Sequence, residues 1–168
     1  MNRSIMPALI TSVLALGIAG PRDAVAQTAK DLVGSWTLVS IRTEQGGNKV
    51  EPFGPQPKGA LMLEGNGRFS IVIVRPGLPK FAANSRMAGT PEENKAVVQG
   101  SLAYFGTYSV SEADKTLALQ IEGSTFPNWE GADQKRQSFT LAGDELKYVN
   151  PTPSTGMGTA QVVWKRAR

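Results

Sequence analysis

The feature that most limits which fold this chain can adopt is a series of short β-strand patterns between residues 35 and 166. Turn residues separate them, and Gly65-Asn66-Gly67 and Gly143-Asp144 indicate β-hairpins, since Asn and Gly tolerate positive φ. The eight predicted strands are 35–43, 58–64, 68–74, 104–110, 116–122, 135–141, 145–149 and 159–166. Such a meander packs as a sandwich or closes on itself, and closure is favoured because it removes exposed edges. We therefore predict an all-β fold, an eight-stranded antiparallel up-and-down β-barrel with room for one small ligand.

One short helix interrupts the strand series. Thr90 is a suitable N-cap, Pro91 fits the first turn and Glu93 completes a capping box, so the sequence predicts a helix that runs to about Leu102. The segment before it, 75–89, is long for a connection in a compact domain. Connections of that length often form lids or binding loops.

The first 26 residues have the pattern of a cleavable signal peptide. Arg3 provides a positive charge, residues 5–19 are almost entirely apolar, and Ala24-Val25-Ala26 has the small residues that signal peptidase accepts. The apolar run is shorter than the roughly 20 residues that span a bilayer. We therefore expect a signal peptide at 1–26 and one domain at 27–168. The expected protein is exported, periplasmic or secreted, with no stable membrane insertion after cleavage.

The composition excludes several kinds of site. The sequence has no Cys and no His, so it has no disulfide, no conventional zinc site, no histidine-ligated haem and no His-dependent catalytic triad. We expect no metal and no cofactor, and any catalysis would depend on Asp, Glu, Tyr, Lys, Ser or Arg. The net charge is +4 and the basic residues are dispersed, so a nucleic-acid partner is not expected.

Several motifs resemble one family of proteins. Gly34-Ser35-Trp36 resembles the Gly-x-Trp signature of lipocalins, and the wider pattern resembles the lipocalin-like domain of uncharacterised bacterial and fungal proteins. The other motifs are Pro52-x-Gly54-x-x-Pro57-x-Gly59, Gly67-Arg68-x-Ser70, Ala103-Tyr104-Phe105-Gly106-Thr107-Tyr108, the segment 122–136 and Val163-Trp164. The resemblance covers about residues 32–166 and implies a barrel closed at one end by Trp36. It also implies a basic residue that covers Trp36, for which the candidates are Lys165, Arg166 and Arg168.

This resemblance implies a fold more than a function, because lipocalin-type barrels include ligand carriers and a few isomerases and cyclases. The sequence departs from the family near Gln120, where relatives commonly have a His that this chain lacks. If that His is catalytic in relatives, its chemistry is absent here.

A polar face on two neighbouring strands is the first candidate site. Gln120 and Glu122 alternate with apolar residues, and Gln134 and Arg136 form a similar polar face on the next strand. Antiparallel pairing would place Glu122 opposite or diagonal to Arg136. Facing outward, these residues are an ordinary solvated surface. Facing inward, they hold a charged pair that could orient a polar ligand group, and the family motif favours this orientation.

Aromatic residues define the second candidate site. Tyr104 and Tyr108 share one strand face, either as core tyrosines bonded to backbone or as the lining of a cavity. Asn128 and Trp129 lie in the loop 123–131, which either packs across the barrel mouth or contacts a ligand. Arg75 follows an apolar strand and is either a surface arginine or a partner for an acidic group at the rim.

We expect an exported barrel that binds a small, largely apolar or amphipathic molecule in its interior. The predicted ligand-binding residues are Arg75, Tyr104, Tyr108, Gln120, Glu122, Asn128, Trp129 and Arg136, and the structural signature is Gly34 and Trp36. A first alternative is a cofactor-free isomerase or cyclase with Glu122 as general base and Tyr104 or Tyr108 as acid. A second alternative is an envelope protein-interaction module with a packed interior. Its apolar patch would comprise Leu78, Phe81, Phe126 and Trp129.

Overall fold

The computed structural model describes residues 29–168, so the predicted signal peptide at 1–26 lies outside the described residues. The strands are β1 (Gly34–Gln45), β2 (Asn48–Val50), β3 (Lys58–Leu63), β4 (Arg68–Val74), β5 (Ser101–Ser111), β6 (Thr116–Ser124), β7 (Asp133–Ala142), β8 (Glu145–Asn150) and β9 (Thr159–Arg166). The helices are α1 (Ala29–Leu32) and α2 (Pro91–Gly100), and Pro127–Trp129 forms a 3-10 turn. Neither helix of this part of the chain is long and apolar enough to cross a membrane.

Eight of the strands close into an antiparallel barrel, which confirms the predicted fold. Their order is β1-β3-β4-β5-β6-β7-β8-β9, and β9 pairs with β1 to complete the ring. Apart from the short β2, neighbours in the barrel are also neighbours in the chain, so the barrel is an up-and-down meander. The sequence did not predict β2, which pairs only with the distal end of β1.

The predicted turns and helix cap are present. Gly67 and Gly143 adopt positive φ of 83° and 58° in their hairpins. The Thr90 hydroxyl accepts a hydrogen bond from the Glu93 backbone N–H, and the Glu93 carboxylate accepts one from the Thr90 N–H. The helix ends at Gly100 rather than about Leu102, because Ser101 is already extended and begins β5.

One end of the barrel is closed by α1 and Trp36. The Trp36 indole N–H donates to the Leu32 carbonyl at 3.0 Å, and Leu32 is fully buried. The Arg166 guanidinium lies 4.2 Å from the centroid of the Trp36 ring, and it donates to the carbonyls of Val33 and Asp31. Of the three basic candidates, Arg166 therefore covers Trp36. A Cβ at Gly34 (φ 137°) would lie 2.9 Å from an Arg166 nitrogen, so the signature glycine leaves room for this arginine.

A β-bulge interrupts the pairing of β6 with β5. Phe105 pairs with Gly123, but the next residue, Gly106, pairs with Ile121. Glu122 is thus the extra residue of the bulge and has no partner on β5. The side chains of β6 nevertheless alternate as the sequence predicts up to Glu122, with Ile121 buried and Glu122 exposed.

Candidate ligand-binding site

A small cavity lies at the end of the barrel opposite α1. Its wall is formed where β1, β4 and β8 end and where β5 and β9 begin, and the loops at this end cover it. The lining residues are Ile41, Thr43, Pro52, Phe53, Ile73, Leu102, Tyr104, Trp129, Arg136, Tyr148, Asn150, Pro153, Ser154, Thr155, Ala160 and Val162. The cavity volume is about 30 Å³, enough for one or two water-sized groups.

Aromatic rings form one side of the cavity. Tyr104 and Trp129 are 5% and 6% exposed, and their rings meet edge to face with centroids 5.1 Å apart. Phe126 packs against Trp129 from the loop side at 5.8 Å. Edge-to-face pairs of this kind fix ring orientation as well as burying apolar area. This side of the cavity therefore offers a preformed aromatic surface.

The polar side of the cavity is centred on Arg136, which is 1% exposed. Its Nη1 donates to Gln134 Oε1 (3.3 Å), to Asn150 Oδ1 (3.1 Å) and to the backbone carbonyl of Lys135 (3.1 Å). Its Nη2 donates to the Tyr104 hydroxyl at 3.2 Å. The guanidinium also lies over the Tyr104 and Trp129 rings, 5.9 and 5.8 Å from their centroids. One charged group thus connects the aromatic side to the polar side.

The charge of Arg136 is not balanced by a carboxylate. Within residues 29–168, the four ion pairs all involve other basic residues. Burial lowers the pKa of Arg136, but the hydroxyls of Tyr104 and Tyr148 raise it by more, so the guanidinium keeps its charge. Burial also raises the pKa of Tyr148, which keeps its hydroxyl neutral, and that hydroxyl accepts from the Trp164 indole N–H at 3.0 Å.

Two buried polar atoms of the cavity lining have no hydrogen-bond partner among the described residues. They are Arg136 Nε and Thr43 Oγ1. Buried polar groups are almost always paired, so each such exception needs an explanation. Here both exceptions belong to residues that line the same cavity.

An open groove of about 320 Å³ adjoins the cavity on the outside. It runs between α2, the loop after β6 and the loop between β8 and β9. The residues that line both spaces are Pro52, Phe53, Leu102, Ser154 and Thr155. Phe53 and Leu102 are 8% and 6% exposed, so these side chains form the partition between cavity and groove.

The structure brings three of the predicted binding residues together: Tyr104, Trp129 and Arg136 all line the cavity. Tyr108 does share the inward face with Tyr104, but it lies near the closed end, where its hydroxyl donates to the Glu64 carbonyl. Arg75 donates to the Pro52 carbonyl at 2.7 Å, so it braces the rim loop from outside. Asn128 is exposed and does not line the cavity.

The predicted pair between Glu122 and Arg136 is wrong. Glu122 lies on the outer surface and forms an ion pair with Arg68 at 2.6 Å, and Gln120 is also exposed. The register explains the difference, because Arg136 pairs with Leu117 on β6 and shares the inner face with it. Glu122 therefore has no access to the cavity as a general base.

The protein-interaction alternative predicted an exposed apolar patch, and the structure does not show one at these residues of the described chain. Trp129 is buried and Leu78, Phe81 and Phe126 are half-buried.

Four residues that line the cavity were not predicted from the sequence: Thr43, Phe53, Tyr148 and Asn150. Three of them lie on strands, and alternation with their buried neighbours would have indicated an inward orientation. Phe53 lies in the loop between β2 and β3, where no periodicity exists to show which side chain folds inward.

A closed eight-stranded meander, plugged at one end and holding a cavity at the other, has the architecture of the lipocalin-type barrels. Residues 33–167 match the lipocalin-like domain family, and the chain belongs to that family. The chain is also similar to the 4'-hydroxy-3'-methoxypropiophenone carrier protein ppsC of Aspergillus oryzae (strain ATCC 42149 / RIB 40). The two are 31% identical over 96 residues, which is 52% of this chain and 86% of the relative.

Proposed function

We propose that this chain is an exported carrier that binds a small, largely apolar aromatic molecule at the open end of its barrel. The observation that carries the proposal is the cavity itself, in which a preformed aromatic side faces a buried polar cluster. Ligand pockets generally combine an apolar wall with a few polar groups that fix orientation. The relative named as a carrier of an aromatic ketone supports the same class of ligand.

The ligand needs more room than the closed cavity provides. A cavity that binds benzene has a volume of roughly 150 Å³, whereas this one has about 30 Å³. The adjoining groove of about 320 Å³ supplies the missing volume once Phe53 moves out of the partition. Phe53 lies in a loop rather than a strand, so its displacement does not break the barrel hydrogen bonds. Binding is thus coupled to a rearrangement of the rim.

The isomerase or cyclase alternative has less support. Its proposed base, Glu122, is outside the barrel, and the cavity lining of the described chain contains no Asp, Glu or Lys. Tyr148 does not serve as a base, because burial raises its pKa and keeps its hydroxyl protonated. The charged group that remains, Arg136, is suited to hold a ligand rather than to transfer a proton.

The carrier proposal predicts that filling the cavity abolishes binding. Ala160 lines the cavity and is 3% exposed, so Ala160→Leu places three extra carbon atoms in a space of about 30 Å³. We expect wild type to bind 4'-hydroxy-3'-methoxypropiophenone in isothermal titration calorimetry. We expect Ala160→Leu to bind it at least tenfold more weakly, about 1.4 kcal/mol. Circular dichroism should show that this variant stays folded, since overpacking costs about 1–3 kcal/mol.

The matched control is Ala118→Leu, the same change on the exposed outer face of β6. It should leave the affinity within a factor of two of wild type. Glu122→Gln should do the same, because the Glu122 carboxylate is outside the barrel. Absence of binding to wild type, or equal weakening by Ala160→Leu and Ala118→Leu, would contradict the proposal.

The export part of the proposal depends on residues 1–26. Expression with the complete leader in a Gram-negative host should yield a periplasmic protein whose first residue is Gln27, as read by N-terminal sequencing. Recovery of the uncleaved chain from the cytoplasm would contradict it.

A further inference from the structure

The buried arginine of the cavity specifies the chemistry of the ligand further. Building on the proposed function, we infer that the ligand is an aromatic carboxylate whose anionic group is bound by Arg136. Three observations support this inference: the buried charge of the guanidinium has no counter-charge, its Nε donor is unpartnered, and an aromatic surface lies beside it.

The first observation is a buried charge without a counter-charge. Arg136 is 1% exposed, and its hydrogen-bond partners are neutral oxygens: the side chains of Gln134, Asn150, Tyr104 and Tyr148 and one backbone carbonyl. Buried charges in proteins are as a rule paired with an opposite charge, because desolvation penalises an isolated one. No acidic side chain in residues 29–168 forms an ion pair with Arg136. An anion from outside the chain would complete this site.

The second observation is the donor that remains. The guanidinium has five N–H donors, and its Nε is unpartnered within the described part of the chain. Nε and Nη2 form one edge of the planar group, the fork that binds a carboxylate through two parallel hydrogen bonds. Nη2 already donates to the Tyr104 hydroxyl, a group that can itself donate to an incoming oxygen. This edge thus offers donors to both oxygens of a carboxylate.

The third observation is the apolar surface next to this edge. The same guanidinium lies 5.8 Å from the Trp129 ring centroid and 5.9 Å from that of Tyr104. A group bound to Arg136 therefore projects its attached carbon atoms against aromatic faces. Thr43, the other residue with an unpartnered buried atom, provides a hydroxyl for a second polar substituent. An aromatic ring with a carboxylate and a further polar substituent satisfies all three features.

The test compares two probes that share one ring. The probes are 4-hydroxy-3-methoxybenzoate and its methyl ester, titrated calorimetrically at neutral pH into wild type, Arg136→Met and Arg68→Met. We expect the wild type to bind the acid at least tenfold more tightly than the ester. The preference should disappear in Arg136→Met, which keeps the length of the side chain without the charge. Arg68→Met is the matched control, since Arg68 pairs with Glu122 on the outer surface, and it should keep the wild-type preference.

The outcomes separate this inference from the proposed function. If wild type binds both probes equally, or binds the ester more tightly, the carboxylate inference is overturned while the carrier proposal stands. The same holds if wild type binds the propiophenone but neither benzoate. If it binds none of the three molecules, both fall. Should Arg136→Met fail to fold, the wild-type ratio of acid to ester still decides the question.

Discussion

Trp36→Ala is expected to lower the free energy of unfolding by about 3–5 kcal/mol, which is typical for removal of a buried tryptophan side chain. Trp36 is 1% exposed, donates a hydrogen bond to the Leu32 carbonyl and lies under Arg166. Its loss leaves a cavity at the closed end, a guanidinium without its aromatic partner and an unpaired carbonyl. The measurement is denaturant unfolding followed by circular dichroism, with the midpoint and slope compared with those of wild type.

Phe105→Ala provides the matched control for this change. Phe105 is also an aromatic residue on a barrel strand, but its side chain is 48% exposed on the outer face. We expect a loss of no more than about 1 kcal/mol, since about half of its surface is already in water. If Trp36→Ala and Phe105→Ala were equally mild, the closed end would not be the stabilising plug described above.

Gly106→Ala should destabilise the barrel by about 3 kcal/mol. Overpacking usually costs about 1–3 kcal/mol, and the upper value is expected where the surrounding backbone cannot move aside. Gly106 lies inside the barrel sheet, paired with Phe69 on one side and with Ile121 on the other. A Cβ at this position would overlap the backbone carbonyl of Gln120 beside the bulge. Relief requires β5 and β6 to separate, which breaks their hydrogen bonds. Thermal and denaturant unfolding measure the effect.

Gly65→Ala is the corresponding control. A Cβ at Gly65 meets no other atom within 4 Å, so the change should stay within about 0.5 kcal/mol of wild type. A near-neutral Gly106→Ala would mean that β5 and β6 can move apart without loss, and the bulge would then not be a fixed element of the barrel.

The strands and their closure could be predicted from the sequence because they depend on local rules. Alternation of apolar and polar residues marked β1 and β3 to β9, and glycine-containing turns such as Gly65-Asn66-Gly67 joined them. The capping box at Thr90 was equally readable, since its two hydrogen bonds span only three residues. β2 was not predicted, because a strand of three residues that pairs only with the end of β1 has too short a pattern to recognise.

The site was less predictable because it depends on register. The alternation on β6 is as predicted, with Gln120 and Glu122 on one face, but this face points outward whereas Arg136 on β7 points inward. The pairing of Leu117 with Arg136 decides this orientation, and that register is a contact between two strands rather than a local pattern. Leu117, Leu119 and Ile121 were a usable signal, since the apolar face of a strand packs on the core and the polar face is solvated.

The rim was the least predictable part. Phe53 enters the partition from a loop whose path depends on α2 and on the loop between β8 and β9. No periodic pattern encodes such a contact, and only the folded chain shows that this phenylalanine separates the cavity from the groove.

The pairing of β1 with β9 also has a consequence for how the molecule folds. These strands are the first and last of the barrel, and the Arg166 that covers Trp36 belongs to the last one. Ring closure and the plug therefore both join positions more than a hundred residues apart, contacts that form slowly because a large loop must close first. Without β9 the ring cannot close, because β9 is the strand that joins β8 to β1. We therefore expect the closed barrel to form only after the last strand is in place.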